Sequence, residues 1–281
     1  MSVAFYSPST ISEACSLLEQ ADAGTVIVNG GTDIVIEIDK GRVKPSVILS
    51  VSDIPELHGI SVQGDFVCVG GGVTYQEMLE HPLIQGFPGM IEAVSQIGSP
   101  AIRQVATLAG NICTAAPAPD GCTMAMGLDA VVVLKSTEQE RLVPLSQMLL
   151  ARGKTVRKSQ ELLTAILLPL SKKSCAYLRL ARRRAQDIAK VMVGVSLELE
   201  GTFCKDIAIS LGAVNAVPCR AYSLETMLRG RDIHEGLSGL LQIFPEEAKL
   251  RPSPFKEYKE QVLPVLIQRT LKKALERGEG S

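Results

Sequence analysis

Two glycine-bearing stretches, far apart in the chain, carry residue types that can bind an anion without a cation. The first is Thr25–Asp33, Thr-Val-Ile-Val-Asn-Gly-Gly-Thr-Asp. Its β-branched start, Thr25, Val26, Ile27 and Val28, reads as a buried strand that stops at Asn29-Gly30-Gly31. Paired glycines admit positive φ and leave no Cβ in the way of a ligand. Thr32 and Asp33 then offer a hydroxyl and an acceptor among exposed backbone N–H groups, and a concave run of such groups binds phosphate. The second stretch, Val105-Ala106-Thr107-Leu108-Ala109-Gly110-Asn111, repeats the chemistry. Facing each other, the two turns would close on the diphosphate of one dinucleotide. Taken alone, a strand followed by Asn-Gly-Gly is also an ordinary turn. A third run, Gly70-Gly71-Gly72, is not Gly-x-Gly-x-x-Gly and lacks a following Lys-Ser/Thr, so it reads as a tight strand-to-helix turn.

Composition excludes several other chemistries. The chain has 281 residues and is 46% hydrophobic, enough for two domains or one large one with a lobe. Its 29 basic and 30 acidic side chains leave a net charge of −1, unlike a nucleic-acid binder. Trp is absent and aromatics make up 4%, so base-stacking platforms are scarce. No apolar run reaches a membrane span, and Met1–Ser9 has no secretory pattern, so a cytoplasmic protein without membrane or nucleic-acid partners is expected. The seven cysteines are odd in number and form no Cys-x-x-Cys. This is the usage of a reducing compartment, with no disulfide framework and no zinc or iron–sulfur site. His58, His81 and His234 lie far apart, so no metal site is expected in this chain.

The elements that must position these turns follow from periodicity. A helix capped at Ser9/Thr10 feeds the strand Thr25–Val28, and Ser46–Val51 is a second strand. By propensity Ile34-Val35-Ile36-Glu37-Ile38 is also a strand. Phe66–Val69 is a strand, and Thr74-Tyr75-Gln76-Glu77 is a capping box opening a helix from Tyr75 to about Glu80. Met90, Ile91, Val94 and Ile97 mark a helix face ending at Gly98. Gly98–Arg103 and Ile112–Asp120 read as loops, Val131–Leu134 and Glu161–Leu168 as strands, and Lys135–Arg141 as a hairpin. Ser171-Lys172-Lys173-Ser174 is a polar break taken as a domain boundary. Beyond it Ala176–Ala181, Val191–Glu200 and Ile207–Val214 read as strands, the alternation in Val195–Glu200 suggesting a sheet with one wet face. Helices at Leu224–Leu228, Glu235–Leu241 and Tyr258–Leu275 close the chain.

Val28–Asp33 together with Ile102–Ile112, and the pattern Arg182–Val191 containing Asp187-Ile188-Ala189-Lys190-Val191, resemble the FAD-binding (medium) subunit of the molybdenum hydroxylases, the group that includes xanthine dehydrogenase. The resemblance runs over nearly the whole chain. It implies an α+β protein: a two-subdomain FAD-binding domain over 1–170, with a small α/β subdomain (1–52) and an antiparallel-sheet subdomain (53–170), then a smaller α+β C-terminal domain over 171–281. FAD is expected between the subdomains, its diphosphate held on one side by the turn Val28, Asn29, Gly30, Gly31, Thr32, Asp33 and Ile34, with Val26 and Ile27 also expected at the cofactor. Thr107, Ala109, Gly110 and Asn111 are expected on the other, with Cys113, Thr114 and Asp120 just beyond. Leu163 matches a residue packed by the flavin ring, and Arg179 matches a basic residue near its pyrimidine side, where positive charge would stabilise the reduced flavin. Ile97 stands where animal relatives place an aromatic near the flavin. The family also makes the segment after Asp33 a short helix, against its propensity.

One departure is Ala109, where the family usually has glycine. A methyl there would be strained at positive φ or would crowd the diphosphate. Blander readings stand beside these. Asp120 could cap the following helix, Arg179 could be a solvated charge on a strand, Arg182-Arg183-Arg184 could be a surface run, and Cys113 could be a core thiol. The chain has no iron–sulfur ligand set and no molybdenum module. The resemblance therefore implies one subunit of a heteromeric hydroxylase, with a 2Fe-2S subunit and a molybdopterin-binding subunit as partners. Electrons would arrive singly from the iron–sulfur partner and leave to NAD or another acceptor. Asp187–Val191 leans the analogy towards purine (xanthine) dehydrogenases. The alternatives are a docking subunit that has lost its flavin, which Ala109 favours, and a free-standing flavin oxidase, for which no acid–base group is found.

Overall fold

Thr10 caps the first helix with its side-chain oxygen, accepting from the Glu13 N–H at 3.1 Å. In this computed structural model, which describes residues 3–170, 174–183, 186–250 and 252–279, that helix, α1 (Ile11–Glu19), buries Ala14, Cys15 and Leu18. It crosses over a three-stranded parallel sheet of β1 (Ala4–Tyr6), β2 (Thr25–Val28) and β3 (Val47–Ser50), in the order β1-β3-β2. Between β2 and β3 the segment expected from propensity to be a strand is a helix, α2 (Ile34–Asp39). Topology is the reason. β2 and β3 are neighbours and parallel, so the chain between them must cross back rather than extend. Gly31, at φ 70°, turns the chain so that the Val35 N–H reaches its carbonyl at 3.1 Å.

The second sheet is antiparallel throughout. Strands β4 (Ile60–Gln63), β5 (Phe66–Gly70), β6 (Val131–Lys135), β7 (Glu140–Pro144) and a long central strand, Leu162–Pro169, lie with that last strand between β5 and β6. Between β5 and β6 run α3 (Tyr75–Glu80), α4 (Pro82–Gln85), α5 (Pro88–Ser95), α6 (Pro100–Arg103), α7 (Leu108–Thr114) and α8 (Asp120–Gly127). The capping box of α3 is complete, with Thr74 and Glu77 each satisfying the other's backbone N–H. Two expected loops are helical in part: α6 takes up Pro100–Arg103 of the first, and the end of α7 takes up 112–114 of the second, leaving 115–119 as loop. Ser99 caps α6, its hydroxyl accepting from the Ile102 N–H. Thr107 caps α7, which runs through Ile112 and Cys113 to Thr114 before Ala115 ends it in left-handed backbone. After β7, α9 (Leu145–Met148) leads into a small hairpin, β8 (Leu149–Ala151) and β9 (Lys154–Thr155), and the central strand is β10.

The third sheet, β11 (Ser174–Leu180), β12 (Val191–Glu200), β13 (Phe203–Gly212) and β14 (Cys219–Arg220), is antiparallel in that order. The helices α10 (Tyr222–Leu228), α11 (Ile233–Gly239) and α12 (Lys256–Glu279) follow it in the chain. Ser171, Lys172 and Lys173 of the expected boundary lie outside the described residues. The alternation in Val195–Glu200 does not mark a wet face. Val191, Val193, Val195 and Leu197 join the core shared with α12. Ser196, on the opposite face, is 0% exposed because α8 packs on that side of β12.

The third sheet is bolted to α5 by Glu92. Its carboxylate accepts from Lys273 Nζ at 2.7 Å, from Arg277 and from the Tyr177 N–H at 2.9 Å. Burial pushes this carboxyl up, but the donors from Arg277, Lys273 and Tyr177 together hold it below the usual range. A carboxylate depressed in the folded state adds stability above its unfolded pKa, and that share is lost as pH falls through the folded value. Glu92→Gln is expected to cost about 1–2 kcal/mol at neutral pH, discounted for partial exposure. Thermal melts should show its gap from wild type closing as pH falls below the ordinary glutamate value of about 4.3.

Candidate flavin site between the two glycine turns

Gly30 and Gly110, eighty positions apart, line one cavity of about 830 Å³, a volume within the range of ligand sites. The two turns touch directly. Asn29 Nδ2 donates to the Gly71 carbonyl at 2.9 Å and to Thr107 Oγ1 at 3.4 Å. A Cβ at Gly30 would lie 1.7 Å from the Val105 carbonyl oxygen, so only glycine permits this backbone approach. From the first turn Val26, Ile27, Asn29, Gly30, Gly31, Thr32, Asp33 and Ile34 are on the wall. From the second come Thr107, Ala109, Gly110, Asn111, Cys113 and Thr114. Ile97, Asp120, Leu163 and Arg179 complete the set that sequence singled out. Val28 is the exception. It is off the wall because its side chain packs beneath Gly31, where a Cβ would sit 3.7 Å from Val28 Cγ1.

The second turn is the start of α7 rather than a free loop. Thr107 Oγ1 accepts from the Gly110 N–H at 3.0 Å, while the first N–H groups of a helix have no partner within it. Ala109 therefore sits in right-handed helical backbone and carries no positive-φ strain. The triple glycine is a packing device. A Cβ at Gly70 or Gly71 would strike the Leu57 or Leu163 carbonyl oxygen. Gly71 also lines the cavity and accepts from Asn29.

Asp120 does not cap α8, and Arg179 is not a solvated charge. The Asp120 carboxylate accepts from the Tyr177 hydroxyl at 2.7 Å and from Arg179 Nη1 at 3.0 Å. The Arg179 side chain is 4% exposed. Burial pushes the Asp120 carboxyl up, against the pull of Arg179 and the Tyr177 hydroxyl. Arg179 Nη2 is buried and has no hydrogen-bond partner among the described residues, the kind of group that a native site leaves for a ligand. Asn111 Oδ1 accepts from the Cys122 N–H, tying α7 to α8. Burial raises both the Cys113 and the Cys122 thiols, so neither is a nucleophile at neutral pH. Arg182, itself exposed, pairs with the buried Asp187 side chain, and Arg184 lies outside the described residues.

Tyr75, Gln96, Ile102, Arg157, Gln186 and Ile188 also reach the wall, and sequence reasoning did not name them as site residues. Ile188 falls in the Asp187–Val191 pattern, which was the available signal. Tyr75 had only a helix-start signal. What brings it to the cavity is a bridge between Thr74 and Thr107 and the bond from the Tyr75 N–H to the Ala106 carbonyl.

The donor set fits a flavin dinucleotide. Glycine turns free of side chains meet the cavity at one place, the Arg179 side chain at another, and aliphatic walls at Ile27, Ile97, Leu162 and Leu163. Such a fold and site define an FAD-binding flavoprotein subunit. Residues 1–171 match the family described as the FAD binding domain in molybdopterin dehydrogenase, and residues 176–274 match the CO dehydrogenase flavoprotein C-terminal domain. The chain belongs to this molybdenum hydroxylase flavoprotein family. It is 29% identical to the nicotinate dehydrogenase FAD-subunit of Eubacterium barkeri, over 98% of this chain and 97% of that one. It is 24% identical to a putative xanthine dehydrogenase FAD-binding subunit of Escherichia coli, with the same coverage of both chains. In fold it resembles the CO dehydrogenase of Oligotropha carboxidovorans, with a TM-score of 0.92 at 24% identity over 99% of each chain. Among the described residues no helix is long and apolar enough to cross a membrane, and no cluster of His, Cys, Asp and Glu could hold a metal.

Proposed function

We propose that this chain is the FAD-carrying electron-transfer subunit of a heteromeric molybdenum hydroxylase. It would take electrons from a 2Fe-2S partner and deliver them to NAD or another acceptor. The observation that carries the reading is the single cavity walled by both glycine turns and by Arg179. Bound FAD supplies the redox chemistry, and the protein supplies position and charge. Gly30, Gly31, Thr107 and Gly110 would hold the diphosphate, Leu163 and Ile97 would flank the ring, and Arg179 would spend its free N–H on the pyrimidine side. Asp120 offsets the Arg179 charge, so the pair presents a directed donor rather than a bare cation.

The molybdenum cofactor and substrate would sit in another subunit. In keeping with this, the relatives of this chain are named for nicotinate, xanthine and carbon monoxide alike. The Asp187–Val191 pattern leans the complex towards purine-type substrates. Ala109, the feature that favoured a docking subunit without flavin, lies in helical backbone and is free of positive-φ strain, with its methyl on the cavity wall. The test is to purify the full chain and measure its flavin. We expect a yellow protein with about one FAD per chain, and, where NAD is the acceptor, one bleached anaerobically by NADH. A colourless, well-folded preparation that fails to take up added FAD would remove the proposal.

A further inference from the structure

Tyr177 ties β11 to two helices at once. Its backbone N–H donates to Glu92 of α5 at 2.9 Å, and its hydroxyl donates to Asp120 of α8 at 2.7 Å. The side chain is 1% exposed and is not among the residues of the cavity wall, whereas Asp120 and Arg179 are. The Tyr177 hydroxyl and Arg179 Nη1 bond the same carboxylate oxygen, Asp120 Oδ1. Residues 177 and 179 share one face of a strand, so a single element presents both donors. β12 holds that element in register, with Tyr177 opposite Gly194 and Arg179 opposite Met192. Two donors fixed on one buried acceptor set where the carboxylate stands, and through it where the guanidinium stands.

Charged and titratable groups on the elements packed against α8 are spent elsewhere. Glu92 of α5 pairs with Lys273 and Arg277, and Arg220 of β14 pairs with Asp129 and Glu225. Lys205 of β13 pairs with Glu198 of β12, and Asp206 with Arg229. Burial keeps Cys113 of α7 and Cys122 of α8 itself protonated. The Tyr75 phenol of α3 and Asp120 bear on each other, and the phenol also stays protonated. The charge of Asp120 is therefore answered from β11.

We infer that Tyr177 is a positioning residue of the flavin site: its hydroxyl, acting through Asp120, fixes the Arg179 guanidinium on the cavity wall as half of a compensated pair. This rests on the proposed FAD site and adds to it a residue that touches no ligand. A hydroxyl that served the core alone would affect stability and nothing at the flavin. Tyr177→Phe keeps the ring and removes one donor from the carboxylate. Burial pushes the Asp120 carboxyl up and the Tyr177 hydroxyl holds it down, so the variant takes up a proton there at higher pH than wild type. Arg179 then loses its counter-charge, and an uncompensated cation near the ring favours reduced flavin. The test loads full-length wild type and variant with FAD and reads the ratio of reduced to oxidised flavin at one applied potential, from about pH 8 down to about pH 5. As pH falls, the variant should depart upward from wild type before wild type itself turns, by up to about tenfold, the scale of one charge acting through protein. Asp120→Asn, whose side chain cannot ionise, should show the raised ratio at every pH. A Tyr177→Phe ratio that tracks wild type across the range would overturn the inference. So would a Tyr177→Phe chain that fails to fold, since the hydroxyl would then serve the fold alone. Wild type that takes up no FAD would instead overturn the site as a whole, and its flavin content reports that separately.

Discussion

Gly30→Ala is expected to purify without flavin. The new Cβ would fall 1.7 Å from the Val105 carbonyl oxygen, 2.4 Å from its carbon and 3.0 Å from the Ala106 nitrogen. All three are backbone atoms, so no rotamer change can relieve the clash. The relief available is to part the first turn from the segment leading into α7. That separation also breaks the Asn29–Thr107 contact and opens the cavity. Overpacking against rigid backbone costs on the order of 3 kcal/mol. Because the same movement displaces the N–H groups on both sides, FAD affinity should fall by two orders of magnitude or more, roughly 2.7 kcal/mol. Gly41→Ala is the control. Gly41 has positive φ but nothing within 4 Å of the Cβ position, so it should lose about 1 kcal/mol of stability and keep its flavin. Flavin content and thermal melts of both variants decide the matter, and a Gly30→Ala protein as yellow as wild type would contradict the geometry.

The second large effect is expected at Arg179. Replacing it with Met removes the guanidinium that faces Asp120 and leaves a carboxylate, 11% exposed at its side chain, with the Tyr177 hydroxyl and the Asp120 backbone N–H as donors. Stranding one member of a buried pair costs about 3 kcal/mol. The pH dependence identifies the cause. Asp120 already titrates above the usual carboxylate range because of burial, and Arg179 holds it down. Without Arg179 its folded pKa rises further. A carboxyl raised in the folded state binds more protons folded than unfolded between the two pKa values, so stability falls as pH rises through that window. The deficit of Arg179→Met should therefore be largest near neutral pH and shrink on acidification towards the ordinary aspartate value of about 3.9. Asp120→Asn in the same chain should restore most of it, since no buried charge is then left unpaired. If the proposed place of Arg179 beside the pyrimidine ring is right, the flavin potential of Arg179→Met also drops. A deficit independent of pH, or no rescue by Asp120→Asn, would mean that the pair is not what Arg179 serves.

Local chemistry was legible wherever a short stretch contains its own reason. Thr74-Tyr75-Gln76-Glu77 closes a capping box with no help from distant residues, and α3 runs over the residues expected. Val131–Lys135 pairs with Glu140–Pro144 across the turn expected within Lys135–Arg141. Ile34–Ile38 misled because β-propensity reports a fit to a pleated surface, whereas this segment must return the chain between parallel neighbours. The loop expected over Ile112–Asp120 holds at 115–119, where Pro117 and Pro119 mark the joint between α7 and α8, but its first residues belong to α7, which Thr107 starts well upstream. Ser196 looked solvent-facing because alternation cannot reveal that α8 covers the second side of β12.

By itself, the sequence determined the two side-chain-poor turns, the residues beside them and the family they point to, because glycine pairs and β-branched runs act on their own backbone. Only the tertiary structure decided that both turns share one cavity, that Asp120 and Arg179 neutralise each other on its wall, and that Tyr75 joins them. Those relations depend on groups tens of residues apart meeting within hydrogen-bond reach, and a contact of that range is set by how sheets and helices pack.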